Sequence, residues 1–267
     1  KRWRVTVHRD DGSTELLTAN AVVSAVGQLN RPHYPEINGI GSFEGPAFHS
    51  GEWEHEHDLT GKRVIVIGTG ASAFQFTPIV AEQADSVTIF QRTPPWVAPR
   101  AEYHDEIPEG EHWLLSHLLF YDVWFRFFQF WRTSEGVLAS ATRDEAWNES
   151  GSISQANHML RELLTENARR IVGDEDALFS KVVPGYPPAG KRMLVDNGTW
   201  YRSLLRDNVE VVTDPITKIT KTGVVTESGR EFEGDVLIYG TGFQASNFMS
   251  PMQIVGRDGV EIHERWN

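Results

Sequence analysis

The residues best suited to chemistry in this 267-residue chain stand where an apolar run gives way to a glycine-rich turn. Lys62-Arg63-Val64-Ile65-Val66-Ile67 is a β-branched stretch of the kind that fills a parallel strand buried on both faces. It leads directly into Gly68-Thr69-Gly70-Ala71-Ser72-Ala73 and a helical stretch through Gln83. Strand, turn and helix in that order can cradle a dinucleotide pyrophosphate. Gly68 permits the tight turn, Gly70 lets the backbone approach the phosphates, and Ala73 is small enough for close helix–strand packing. The free N–H groups of the helix N-terminus then face the anion. A plain tight turn would use the same glycines, so the next strand carries the discrimination. Ser86-Val87-Thr88-Ile89-Phe90 runs into Gln91-Arg92-Thr93, where an NAD site would place an acid for the ribose hydroxyls. A guanidinium offers planar, permanently charged donors to a 2′-phosphate, and the Thr93 hydroxyl adds another. This pair favours NADPH; the alternative is a solvated arginine at a strand end.

A second group lies in Pro184-Gly185-Tyr186-Pro187-Pro188-Ala189-Gly190-Lys191-Arg192. Loops bounded by proline and glycine hold side chains at fixed, irregular angles and commonly carry function. Taken alone, the Lys191-Arg192 pair would more often be solvated surface. A third group is the spacing Phe-x-Gly-x-x-x-His-x-x-x-Trp set by Phe43, Gly45, His49 and Trp53. A glycine- and aromatic-rich loop with a satisfied surface histidine would read the same way. His55 and His57 near His49 and Glu54 lack the helical spacing of a zinc site, so no metal is expected.

Together these groups resemble the Baeyer–Villiger monooxygenases, flavoenzymes that insert one oxygen atom beside a ketone carbonyl. The resemblance implies FAD and NADPH as cofactors and a ketone and O2 as small-molecule partners. It places Gly68, Thr69, Gly70, Ser72 and Gln75 against the nicotinamide nucleotide, with Arg92 and Thr93 at its 2′-phosphate. Lys191 then reaches toward that phosphate and Arg192 sits over the flavin as the catalytic cation. Phe43, Gly45, His49 and Trp53 form the family fingerprint, and Tyr239-Gly240-Thr241-Gly242-Phe243 resembles its Ala-Thr-Gly-Phe element. Departures are small: Ala73 replaces the usual third glycine, and Glu54 stands where proline or aspartate is usual. Trp53 favours ketone oxygenation over the N- and S-oxygenation of related flavin-containing monooxygenases. Phe-Trp-Arg-Thr-Ser-Glu-Gly at 130–136 looks like the 4-hydroxyacetophenone monooxygenase subgroup, which implies an aryl ketone.

Composition agrees with a small-molecule enzyme. A net charge of −12, from 37 acids against 25 bases, argues against a nucleic-acid surface, which calls for clustered Lys and Arg. The absence of cysteine excludes a disulfide reductase and thiolate metal sites, and fits a reducing, cytoplasmic setting. The start carries no charged-then-apolar export signal, and the apolar stretch 112–131 is broken by His117, Asp122, Arg126 and Gln129. No membrane segment is expected; a homo-oligomer is compatible with the sequence.

The elements that must position these groups repeat weakly along the chain. Trp3–Val7, the turn Asp10-Asp11-Gly12-Ser13 and Glu15–Leu17 predict a hairpin, followed by a buried strand over 21–27. Thr217–Thr220, Val224–Thr226 and Glu231-Phe232 repeat the pattern, followed by a strand from Val236. The resemblance makes this an α/β, Rossmann-like two-dinucleotide-binding-domain flavoprotein, of which the chain is a fragment. Residues 1–48 are expected to be the C-terminal part of an FAD-binding domain and 49–60 the fingerprint linker. Residues 61–243 are the expected NADP-binding domain, with a helical insertion over about 103–177, and 244–267 return toward the FAD domain. The insertion's aromatics, Trp113, Phe120, Tyr121, Trp124, Phe125, Phe127, Phe128, Phe130 and Trp131, are expected to be packed inside it, with a substrate tunnel or subunit contact as the alternative.

Overall fold

The computed structural model describes residues 2–173, 177–247, 252–256 and 258–266. They fall into two compact units: Tyr34–Gly242, and the residues up to His33 together with those from Phe243 onward. Residues 34–48, expected with the leading domain, pack in the larger unit.

In the smaller unit, β1 (Trp3–His8) and β2 (Thr14–Ala19) pair antiparallel from Trp3↔Ala19 to His8↔Thr14. Gly12, at φ 80°, makes the turn between them. The strand expected over 21–27 is not formed: no strand pairing runs through these residues, and Val22, Val23 and Val26 are 51%, 86% and 49% exposed. An apolar run becomes a buried strand only when neighbours take up its hydrogen bonds and cover both faces. The smaller unit supplies neither here. Its two chain segments meet where Pro32 bridges Phe243 and the Gln244 side chain donates to the Pro32 carbonyl at 3.1 Å. A short helix, Ile262–Trp266, closes it.

The larger unit is built on a five-stranded, fully parallel sheet. In chain order its elements begin with β3 (Ala47–His49), β4 (Arg63–Ile67), α1 (Ala71–Gln83), β5 (Ser86–Phe90) and β6 (Val97–Pro99). The insertion follows as α2 (Glu109–His117), α3 (Tyr121–Thr133), α4 (Glu135–Ala141), α5 (Gln155–Val172) and α6 (Ala177–Val182). Then come β7 (Leu194–Asp196), α7 (Thr199–Leu204), β8 (Val209–Val212), β9 (Ile216–Ile219), β10 (Gly223–Thr226), β11 (Glu231–Glu233) and β12 (Val236–Tyr239). The sheet order is β3-β12-β4-β5-β8.

β4 reads as a continuous apolar run because both of its faces are covered. Val64 and Val66 join Phe74, Val80, Ala81, Trp200 and Leu204 in one core, beneath α1 and α7. Ile65 and Ile67 join Phe90, Val212, Val224, Phe232 and Leu237 in a second core, under the antiparallel sheet β9–β10–β11. Asn208 finishes α1 by donating to the carbonyls of Ala81 and Ala84 at 2.9 and 3.0 Å, an end that no basic residue in the last turn serves.

Arg63 fastens the start of β4 to the segment entering β12. Its side chain donates to Asp235 at 2.8 Å and to Glu233 at 2.6 Å, and its backbone N–H donates to Asp235 at 2.9 Å. The guanidinium and this N–H hold the Asp235 carboxyl down to about 2. A depressed folded-state pKa stabilises above the unfolded carboxyl value of roughly 4, and that contribution is lost as pH falls from there toward about 2. Since 37% of the Asp235 side chain is exposed, the effect is screened to below about 1 kcal/mol. Acid melts of Asp235→Asn against the parent should therefore converge only as pH falls to about 2 and separate by less than that amount at neutral pH.

The insertion is helical, as expected, but its aromatics are not packed inside it. Trp113, Phe120, Trp124, Phe127, Phe128, Phe130 and Trp131 are each at least half exposed. Tyr121 and Phe125 are half-buried on one stripe of α3, so a single apolar stripe meets neighbours while the remaining faces do not. Among the described residues no helix is long and apolar enough to cross a membrane.

Candidate dinucleotide site

From β4 the chain steps outward through β5 to β8, then returns to place β12 on the opposite side of β4. The strand order thus reverses between β4 and β12, and ligands of open parallel sheets bind at the carboxyl ends of strands at such a point. Gly68 leaves β4 there with φ 105°, a conformation that side chains resist. A Cβ on Gly68 would lie 2.5 Å from the Gly240 carbonyl oxygen, and one on Gly240 would lie 2.8 Å from the Ala73 Cβ. Gly240 donates to the Ile67 carbonyl at 2.8 Å, and Gly68 donates to the Phe90 carbonyl at 2.9 Å. The ends of β12, β4 and β5 therefore converge through backbone alone. Gly68→Ala should cost roughly 2 kcal/mol or more of stability, read as a lowered melting temperature, because strain and contact with a backbone carbonyl add.

Gly70 is the N-cap of α1, with φ −73° and ψ −177° and no side chain capping the helix, and the first turn carries no acid. An anion meets neither a competing cap nor a repelling carboxylate at this helix start. Thr69 is buried, and its hydroxyl donates to the Thr93 carbonyl at 3.3 Å, which joins the glycine turn to the end of β5. Ser72 is half-buried and Gln75 exposed on α1.

Gln91 anchors that strand end. It is 3% exposed, and its side chain donates to the Lys181 carbonyl at 2.6 Å. Arg92, the next residue, is exposed, and among the described residues no carboxylate pairs with it. Thr93 is half-buried beside it. A guanidinium without a carboxylate partner, next to a glycine turn, is suited to a ligand phosphate.

The 184–192 loop is brought to the same edge. β6 and β7 pair parallel, and the Leu194 N–H donates to the Trp96 carbonyl at 2.9 Å. The Trp96 indole donates to the Tyr186 carbonyl at 2.9 Å, and the Tyr186 hydroxyl donates to the Pro94 carbonyl at 3.1 Å. Asn157, fully buried on α5, donates to the carbonyls of Ser140 and Pro188 at 2.6 and 2.9 Å. Proline supplies no N–H to bond within the loop, and the carbonyls of Tyr186 and Pro188 are held by side chains from outside it. Ala189 sits at φ 62° within the loop. The Lys191 ammonium lies 4.7 Å from the centre of the Tyr186 ring, and Arg192 beside it is exposed. A cavity of about 280 Å³ opens here between Ala141, Ile153, Tyr186 and residues 187–191.

The fingerprint residues are largely architectural. His49 ends β3, is fully buried opposite Tyr239, and accepts from the Gly51 N–H at 3.0 Å through Nδ1. Trp53 packs edge-on to Phe48 and Phe76, with ring centres 5.3 and 5.2 Å apart, and so joins β3 to α1. Phe43 packs on the second core, and a Cβ on Gly45 would lie 2.6 Å from the Asp235 carbonyl. Glu54, Glu56 and His57 bring one donor atom each within 4.8 Å of one another, at a half-exposed edge where His57 and Glu54 hydrogen-bond at 2.9 Å.

The structure thus gathers the glycine turn, Arg92, Thr93 and the Lys191 loop along one chain of contacts. Gly240, Trp96, Tyr186 and Asn157, which hold that chain together, were not among the sequence-derived site residues. The proline density of the loop was the available signal for the last three, since such a loop needs outside donors.

Comparison with known proteins agrees with this geometry. The flavin-binding monooxygenase-like family matches residues 1–109. A Baeyer–Villiger monooxygenase of Streptomyces coelicolor is 35% identical over 268 residues, which is 99% of this chain and 47% of that protein. The structure of cyclohexanone monooxygenase from Rhodococcus sp. Phi1 bound to NADP+ is 29% identical with a TM-score of 0.79, over 99% of this chain and 54% of that one. OTEMO in complex with FAD and NADP is 27% identical with a TM-score of 0.75, over 99% and 54% respectively. Over nearly its whole length this chain is similar to Baeyer–Villiger monooxygenases, and it spans about half the length of the relatives it matches.

Proposed function

We propose that this chain is the NADPH-binding portion of an FAD- and NADPH-dependent Baeyer–Villiger monooxygenase that inserts one oxygen atom from O2 beside a ketone carbonyl, giving an ester or lactone. The observation that carries the reading is Arg92, exposed and without a carboxylate partner among the described residues, at the end of the strand beside the glycine turn. In this reading Gly68, Thr69 and Gly70 form the pyrophosphate cradle, and Ser72 and Gln75 on α1 meet the nicotinamide nucleotide. Arg92, Thr93 and Lys191 take the 2′-phosphate. The residues fit that ligand, since the helix that starts at Gly70 carries neither a capping side chain nor an acid in its first turn, which leaves its N–H groups to an anion.

Bound FAD, reduced by NADPH, would supply the oxygen-transfer chemistry. Arg192 would hold a permanent positive charge at the reacting centre and stabilise the oxyanion formed when the ketone carbonyl is attacked. Residues 1–33 and 243–267 belong in this reading to the flavin side and 34–242 to the nucleotide side, with the fingerprint stretch lying inside the latter. The wording of residues 130–136 supports an aryl ketone as substrate.

Two measurements test the reading. The 267-residue chain should bind NADPH and show no flavin absorption band after purification, because its one described glycine-turn cradle is assigned to NADPH. Stoichiometric FAD in that chain would overturn the assignment of its parts. Product analysis of a longer, flavin-containing enzyme that includes this chain, given a ketone and a sulfide, should yield mainly ester or lactone; sulfoxide alone would shift the activity to S-oxygenation.

A further inference from the structure

Lys191 raises a question of position. It is exposed, it follows a loop with three prolines, and its long flexible side chain gives no fixed direction by itself. Tyr186 supplies the direction. Its carbonyl is held by the buried Trp96 indole at 2.9 Å and its hydroxyl by the Pro94 carbonyl at 3.1 Å, so the ring is fixed at both ends. Pro94 directly follows Arg92 and Thr93 in the chain. The ring face then holds the Lys191 ammonium 4.7 Å from its centre, inside the range of cation–π attraction.

We propose that Tyr186 is a positioning residue of the nucleotide site: tied through its hydroxyl to the turn that carries Arg92, it seats the Lys191 ammonium so that both cations meet one 2′-phosphate. The inference rests on the NADPH reading above. The physical gain is preorganisation, because a lysine already resting on a ring loses less freedom when the phosphate arrives. A tyrosine that merely filled space would support both nicotinamide nucleotides alike, since they differ only at the 2′-phosphate.

Calorimetric titration of the 267-residue chain with NADPH and with NADH separates these roles, using Tyr186→Leu, Tyr186→Phe, Lys191→Ala and Tyr186→Leu combined with Lys191→Ala. Tyr186→Leu should weaken NADPH binding about tenfold and leave NADH binding unchanged. Tyr186→Phe keeps the ring and should lose only about threefold. In the Lys191→Ala background, Tyr186→Leu should add no further loss, because the two act as one unit. Equal losses for both nucleotides, additive losses, or parental NADPH affinity in Tyr186→Leu would each overturn the proposal. If thermal melting shows Tyr186→Leu unfolded, Tyr186→Phe carries the same cycle, with its loss expected to vanish in Lys191→Ala. An unchanged Lys191→Ala beside a weakened Arg92→Ala would overturn the role of Tyr186 and spare the NADPH reading; both unchanged would overturn the two together.

Discussion

Replacing Arg192 by alanine in a longer, flavin-containing enzyme that includes this chain is expected to lower ketone oxygenation by about a hundred- to a thousandfold while flavin stays bound. Removing one electrostatic donor aimed at developing negative charge commonly costs that much. The reason is that the charge is needed only when the carbonyl oxygen becomes an oxyanion, so its loss falls on the rate more than on ketone binding. Arg192→Lys should recover only part of the rate, because an ammonium is a point charge that can lose its proton when desolvated. Arg192 is exposed at the end of a loop held from outside by Trp96 and Asn157, so its removal should leave the fold intact. Steady-state assay of ester or lactone, alongside the flavin absorption spectrum, checks both parts. A variant with full flavin and parental product formation would remove Arg192 from the chemistry.

Arg92→Ala should weaken NADPH binding by about 1.5–3 kcal/mol, the range for hydrogen bonds to charged groups, or roughly 10- to 150-fold. NADH, which lacks the 2′-phosphate, should bind nearly as before. The preference for NADPH in the parent should also narrow as salt is raised, since Arg92 is exposed and its attraction to phosphate is screened. Titration of both nucleotides at two ionic strengths tests the pair of expectations, and equal losses for NADPH and NADH in Arg92→Ala would refute the 2′-phosphate role.

The second core illustrates how the same residue pattern can be right in one place and empty in another. Val64–Ile67 and residues 21–27 are both apolar runs ending in glycine, and both predicted a buried strand. The first became β4 because α1 and α7 cover one face and β9–β11 the other. The second formed no strand, for periodicity describes the segment while burial depends on what other segments bring to it. The aromatics of α3 failed in the same way: their number predicted packing, and packing needs a partner surface on every side that carries one.

What the sequence by itself determined is whatever is local. A strand, a glycine turn and a helix are consecutive, so the order of residues 62–83 was enough to place β4, the turn at Gly68 and α1. Arg92 at the end of the next strand was enough to suggest the nucleotide. The hairpin turn at Gly12 was fixed by its own residues. What only the tertiary structure decided is whatever joins distant segments. Gly240 lies against Gly68 although 172 positions separate them, because the return of β12 beside β4 is a property of the whole sheet. Trp96 and Asn157 reach the 184–192 loop from two different elements, and Tyr186 reaches back to Pro94. Such contacts leave no spacing in the sequence, since they arise only when packing of the two cores brings those segments together.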